Sequence, residues 1–66
     1  MSSLAEEYSK EQERLRELIS QYKEIGQAGQ FALYRLNDIL SRSEIAAAEQ
    51  DTVTMIRCFK EMQGCQ

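Results

Sequence analysis

Gly29-Gln30-Phe31-Ala32-Leu33-Tyr34-Arg35-Leu36 is the centre of an apolar stretch that decides the fold of this 66-residue chain. Apolar residues recur here every three or four positions, which is the spacing of one face of an α-helix. The stripe is wider than the seam of a two-stranded coiled coil, and this width indicates packing in a helical bundle. The residues that we expect in the helix–helix or dimer interface are Leu15, Leu18, Tyr22, Ile25, Gly29, Ala32, Leu36 and Ile39.

Capping signals predict the ends of two helices. Ser3 and Glu6 have the spacing of a capping box, so the first helix begins near Ser3. Asp51 is a suitable N-cap and Gly64 is typical of the residue just past a helix end, so a short helix lies between them. The predicted architecture is all-α: a single domain (1–66), a long helix (about 3–48) and a short C-terminal helix (about 51–63).

The segment from Gly26 to Gly29 leaves two architectures open. Two glycines inside one helix cost about 2 kcal/mol relative to alanine, which favours a turn. The spacing of three and four nevertheless continues through the segment, whereas a reversal normally resets it. The sequence therefore favours a continuous helix, and a break at 26–29 that makes a helical hairpin is the alternative.

The length of the predicted helix indicates a homodimer. A helix of about 45 residues spans about 68 Å, whereas the short helix covers about 18 Å of it. A chain this short also needs an addition to its own core, such as a disulfide, a metal or a second copy. We therefore predict that two long helices pack on each other in a dimeric bundle, whereas the hairpin would close as a three-helix monomer.

Composition disfavours several classes of function. The net charge is −3 with acidic and basic residues intermixed, which opposes bulk electrostatic binding to nucleic acid. No apolar run approaches the ~20 residues of a membrane span, and the N-terminus does not resemble a signal peptide, so we expect no membrane association and a cytoplasmic location. Because the chain has no His and no Cys-x-x-Cys pair, we expect no metal, no cofactor and no catalytic residue.

The two cysteines are predicted to be free thiols. Cys58 lies beside the apolar face of the short helix, where a buried thiol usually acts as a small hydrophobic residue. Cys65 lies just past the end of that helix, and we expect it to be exposed. A redox role for either thiol is the alternative that the sequence leaves open.

Two sets of residues are candidate binding surfaces. Phe31 and Tyr34 lie off the main stripe, and aromatic residues are common anchors of protein interfaces. The candidate partner surface consists of Phe31, Tyr34, Ile45 and Val53. A basic ridge that contacts RNA or DNA is the second candidate, although salt bridges to nearby carboxylates explain the same residues. The residues of this ridge are Arg14, Arg35 and Arg42.

Two resemblances concern size and the C-terminal end. In size and helical content the chain resembles the Rop plasmid-copy-number proteins, which are short hairpins that dimerise into four-helix bundles, although its predicted corner lies near the C-terminus. The segment Ile45-Ala46-Ala47-Ala48-Glu49-Gln50-Asp51, followed by the residues from Met55 to Met62, resembles the ending of small early-region proteins of temperate lambdoid phages. This resemblance implies an accessory factor that acts on a host or phage protein.

The leading functional hypothesis is a non-enzymatic homodimer that regulates or adapts another protein by binding it. An apolar stripe larger than one short chain can cover, together with the absence of catalytic chemistry in the sequence, motivates this hypothesis. The alternatives are a small RNA- or DNA-binding regulator of the helical-hairpin type and a structural subunit of a larger assembly.

Overall fold

The structure is a computed structural model that describes residues 3–65, and this part of the chain contains three α-helices. They are α1 (Leu4–Ile25), α2 (Gln30–Ala48) and α3 (Thr52–Gln63). A four-residue 3₁₀ turn joins α1 to α2, and a tight corner joins α2 to α3. The all-α prediction is therefore confirmed. None of these helices is long and apolar enough to cross a membrane.

The continuous long helix that the apolar spacing favours is wrong, because the chain reverses in the 3₁₀ segment Gly26–Gly29. Gly26 has a φ of +82°, a conformation that residues with a side chain rarely adopt. Beyond the turn, α2 runs back along α1, so that the Tyr8 hydroxyl reaches the Ser43 carbonyl. The longest dimension is 36 Å, which matches a helix of 22 residues and is about half the span of 45. The helical hairpin is thus the observed architecture.

The predicted caps are present at the two helix starts. The Ser3 side chain accepts a hydrogen bond from the Glu6 amide at 3.2 Å, although Ser3 itself lies outside the helix. At the start of α3, the Asp51 carboxylate accepts from the Thr54 amide (3.3 Å) and hydroxyl (2.6 Å). These bonds from Thr54 lower the pKa of the Asp51 carboxyl. Local sequence signals therefore fix both helix starts within one residue of the prediction.

The hydrophobic core is completed within one chain. All three helices contribute to it, and α3 contacts both arms of the hairpin. The buried core residues are Tyr8, Leu15, Ile19, Leu33, Leu36, Ile39, Leu40, Cys58, Met62 and Cys65. Because these side chains already pack on one another, the apolar stripe does not require a second chain. The predicted pairing of two long helices through this stripe is therefore wrong.

Most residues of the predicted interface lie in or beside this core. Four are buried (Leu15, Gly29, Leu36 and Ile39), and three are partly buried (Leu18, Tyr22 and Ala32). Ile25 is the exception, because 57% of its surface is exposed. Ile25 is the last residue of α1, and the chain turns away directly after it. In a continuous helix Ile25 would lie on the same apolar face as Gly29 and Ala32, but the turn removes that face.

Tyr8 ties the three helices together. Its hydroxyl donates a hydrogen bond of 2.8 Å to the Ser43 carbonyl of α2, and its ring stacks on Phe59 of α3 with centroids 6.5 Å apart. Ser43 is fully buried, donates to the Leu40 carbonyl and accepts from the Gln12 amide. These contacts make a small polar network inside an otherwise apolar core.

We expect Tyr8→Phe to lower the free energy of unfolding by about 1 kcal/mol, because the ring remains while a buried hydrogen bond is lost. Burial raises the pKa of the Tyr8 hydroxyl above its ordinary value of 10.0. The folded state therefore holds this proton more tightly than the unfolded state, and the stability that it contributes falls as the pH rises above that value. Because Tyr8→Phe has no hydroxyl group to ionise, we expect its free energy of unfolding to fall less at alkaline pH than that of the wild type.

Urea unfolding at about pH 7 and about pH 11 measures both effects. Tyr34→Phe is the matched control, because Tyr34 lies on the surface and should change stability by less than about 0.5 kcal/mol. Equal midpoints for Tyr8→Phe and Tyr34→Phe at neutral pH would contradict a role for the Tyr8 hydroxyl in the core.

Candidate protein-interaction surface

Three large apolar side chains project from α2 into solvent. Phe31 is 83% exposed, Tyr34 is 78% exposed and Ile45 is 57% exposed. Successive residues of a helix are rotated by about 100° around its axis. With this rotation, the three side chains lie together with Asp38 and Ser41 in a stripe about 80° wide. This stripe lies opposite the buried residues of α2, so it faces away from the core. We call these five residues the outward face of α2.

The outward face is held on a rigid support. The opposite side of α2 packs against both α1 and α3, and it contributes buried side chains along the whole helix. The positions of Phe31, Tyr34 and Ile45 are therefore fixed by the fold. Because the backbone of α2 is already ordered, a partner that binds these side chains pays little entropy for ordering it.

The fourth residue of the predicted partner surface lies on another helix. Val53 is 62% exposed in the first turn of α3, and Ile56 is exposed one turn later. The structure therefore brings Phe31, Tyr34 and Ile45 together on α2 and places Val53 with Ile56 on α3. The sequence spacing did not single out Ile56.

A charged cluster flanks the outward face on the side of α3. The Arg42 guanidinium donates two hydrogen bonds to the Glu61 carboxylate, at 3.2 and 2.7 Å, and another of 3.2 Å to Asp38. The hydrogen bond from Arg42 lowers the pKa of the Glu61 carboxyl, and the same bond raises the pKa of Arg42. Arg42 thus joins α2 to α3.

Arg14 is bound to the end of α3. Its guanidinium donates to the carbonyl oxygens of Met62 and Cys65, the second at 2.8 Å, and to the Glu11 carboxylate at 2.6 Å. A cation at a helix C-terminus satisfies free carbonyl groups and complements the helix dipole. Arg14 therefore locks the C-terminal end of α3 onto α1.

The predicted basic ridge is largely committed to contacts within the chain. Arg14 and Arg42 use their guanidinium groups to hold α3, as described above. Arg35 is exposed and borders an open cleft of 220 Å³ at the C-terminal end of α3. The other residues that line this cleft are Tyr22, Ala32, Leu36, Gly64 and Cys65. The geometry thus favours a structural role for two of the three arginines.

Both thiols are buried. Cys58 lies in the core as expected, and burial raises the pKa of its thiol, which disfavours the reactive thiolate. The expectation that Cys65 is exposed is wrong, because Arg14 of α1 binds the Cys65 carbonyl and the residue packs in the core. The Cys65 thiol donates to the Glu61 carbonyl at 3.4 Å. Both cysteines are free rather than joined in a disulfide.

Within residues 3–65, no group of His, Cys, Asp or Glu side chains has an arrangement that could hold a metal ion. Glu11 and Glu61 are each paired with an arginine, Glu11 with Arg14 of the same helix and Glu61 with Arg42 of α2. The second of these pairs joins α3 to α2. The outward face of α2 is therefore the feature of the described residues that best fits a binding function.

No family model, curated protein or solved structure matches the chain.

Proposed function

We propose that this protein is a non-enzymatic homodimer that regulates or adapts another protein by binding it. The observation that carries the proposal is the exposure of Phe31 and Tyr34, two aromatic side chains one turn apart on the outward face of α2. Interface hot spots are enriched in aromatic residues, and apolar patches on a protein surface often mark binding sites.

Two separate apolar surfaces suit a dimer that also binds a second protein. The outward face of α2 supplies one, and Val53 with Ile56 of α3 supplies the other. If one surface joins the two subunits, the other remains available to the regulated protein. An accessory factor of this kind is also what the resemblance to phage early-region proteins implies.

The two alternative functions have less support. A regulator that binds RNA or DNA would need free cations, whereas Arg14 and Arg42 are bound to carbonyl and carboxylate groups of the same chain. A structural subunit of a larger assembly could use the same two apolar surfaces, and it would form polymers or heteromers rather than a closed dimer. We therefore retain the protein-binding dimer as the proposed function.

The test compares the self-association of the wild type with that of a double variant, Phe31→Ser with Tyr34→Ser. We expect the wild type to dimerise and the double variant to bind itself at least roughly 10-fold more weakly, because two aromatic contacts are lost. Sedimentation velocity measures the association, and far-UV circular dichroism checks that the helices remain.

Ile25→Ser is the matched control for this test. Ile25 is an exposed apolar residue at the hairpin turn and lies outside the outward face, so its loss should leave the dimer intact. A double variant that associates as strongly as Ile25→Ser would contradict the proposed surface. A wild type that stays monomeric at every concentration would contradict the homodimer.

A further inference from the structure

We propose that the outward face of α2 is covered by a second copy of this chain, with the two α2 helices antiparallel and Asp38 opposite the partner subunit's Ser41. The inference rests on the proposed function, because it assumes the homodimer and specifies how its subunits meet. It commits to one orientation and one register, which follow from the order of side chains along the helix.

The outward face has the spacing of a helix–helix seam. Its positions alternate in steps of three and four residues, which is the a/d pattern of a coiled coil. The residues of this seam, in order, are Phe31, Tyr34, Asp38, Ser41, Ile45 and Ala48, and all six are exposed. The same helix therefore carries two apolar faces, one used by the core and the other open to a partner helix.

The acidic residue in the middle of the seam selects the orientation. A parallel pair in register would place Asp38 against the partner's Asp38, and an antiparallel pair centred on this residue would do the same. Two like charges in one interface layer oppose association. Shifting the centre of the antiparallel pair to a point between Asp38 and Ser41 removes this conflict, because each carboxylate then faces a hydroxyl group that can donate to it.

The same register matches the sizes of the apolar side chains. Tyr34 faces the partner's Ile45, and Phe31 faces the partner's Ala48. Each large aromatic ring thus lies on a smaller aliphatic side chain, and the twofold symmetry repeats both contacts. One choice of register therefore satisfies the polar layers and the apolar layers together.

The flanking charges bring one pair of like charges together in this arrangement. On the α3 side, Arg35 of one chain approaches the partner's Arg42. The charge of Arg42 is already offset within its own chain, because its guanidinium binds the carboxylates of Asp38 and Glu61. On the α1 side, the charged residue beside the seam is Glu44, which is paired with Arg16 at 3.9 Å.

The interface is small, because each chain contributes one helix of 19 residues. Specific protein interfaces usually bury at least about 1,200 Å², and smaller ones are weak or transient. We therefore expect a dissociation constant in the micromolar range, with a monomer that stays folded after dissociation because its core is complete.

Ser41→Asp tests the register. It places a carboxylate opposite the partner's Asp38 in two layers, so we expect the dimer dissociation constant to rise by roughly 10-fold or more. Ser20→Asp is the matched control, because Ser20 is an exposed serine on α1 and adds the same charge outside the seam. It should change the dissociation constant by less than about threefold. Sedimentation equilibrium at one ionic strength measures both variants.

Ser41→Lys tests the orientation. In the antiparallel register the new ammonium group lies opposite the partner's Asp38 in two layers, so we expect the dimer dissociation constant to fall by roughly threefold or more. In a parallel pair in register, the two new ammonium groups face each other, so the dissociation constant should rise. An unchanged or higher dissociation constant for Ser41→Lys would therefore overturn the inference.

The outcomes separate this inference from the proposed function. If Ser41→Asp behaves like Ser20→Asp while loss of Phe31 and Tyr34 still dissociates the dimer, the register is wrong and the proposed surface stands. If none of these changes affects a wild-type dimer, the subunits meet elsewhere, which overturns the register and the α2 surface but leaves the homodimer. A wild type that does not self-associate overturns both.

Discussion

Leu15→Ala is expected to lower the free energy of unfolding by about 2 to 5 kcal/mol. Leu15 has no exposed surface, and it lies in the core where α1 meets the rest of the bundle. Removing its side chain loses buried apolar contacts and leaves a cavity that the fixed helices fill only in part. A domain of this size has a total stability of roughly 3 to 10 kcal/mol, so the substitution removes a large fraction of it.

Urea unfolding followed by far-UV circular dichroism measures this loss, with Leu4→Ala as the control. Leu4 is the first residue of α1 and is partly exposed, so its truncation should cost less than about 1 kcal/mol. A loss below about 1 kcal/mol for Leu15→Ala would contradict a core that is complete within one chain.

Gly29→Ala is expected to destabilise the protein by about 1 to 3 kcal/mol. A Cβ atom at Gly29 would lie 2.7 Å from the backbone carbonyl oxygen of Tyr22. Because this neighbour is backbone, relief of the clash requires α1 and the 3₁₀ turn to move apart. In an uninterrupted exposed helix the same substitution would instead stabilise the protein, so the sign of the effect distinguishes the hairpin from the continuous helix.

Gly64→Ala is the matched control for Gly29→Ala. The added Cβ would lie 3.5 Å from its nearest neighbour, and Gly64 has a φ of −79°, which alanine adopts without strain. We expect unchanged stability or a gain of less than about 1 kcal/mol. Stabilisation by both substitutions would contradict the close approach of Gly29 to Tyr22.

The parts of the fold that depend on local chemistry could be predicted from the sequence. Ser3 and Asp51 are caps that act within three residues, so their helix starts are readable without knowledge of the tertiary structure. The turn at Gly26–Gly29 is different, because the apolar spacing passes through it in phase. Gly26 permits the turn through its positive φ, and contacts between the two arms, such as that between Tyr8 and Ser43, stabilise the reversal.

The outward face of α2 was predictable because Phe31 and Tyr34 fall outside the main apolar stripe. The packing of the chain end was not. Arg14 binds carbonyl groups 48 and 51 residues away, and Cys65 is buried by the same approach of α3 to α1. Ser43 has the same helical spacing as the buried residues Leu36 and Leu40. A serine at such a position indicates a buried side chain that needs a hydrogen-bond partner. The spacing does not show which residue that partner is.

Sedimentation equilibrium across a wide dilution series, with circular dichroism of the same samples, tests whether each chain completes its own core and pairs through a separate surface. We expect a dimer of about 15 kDa that dissociates on dilution to a monomer of 7.6 kDa with its helical content unchanged. That result would show that the core is complete in one chain and that the subunits meet through an additional surface. A dimer that dissociates only with loss of helicity would contradict this arrangement, because the subunits would then share one core.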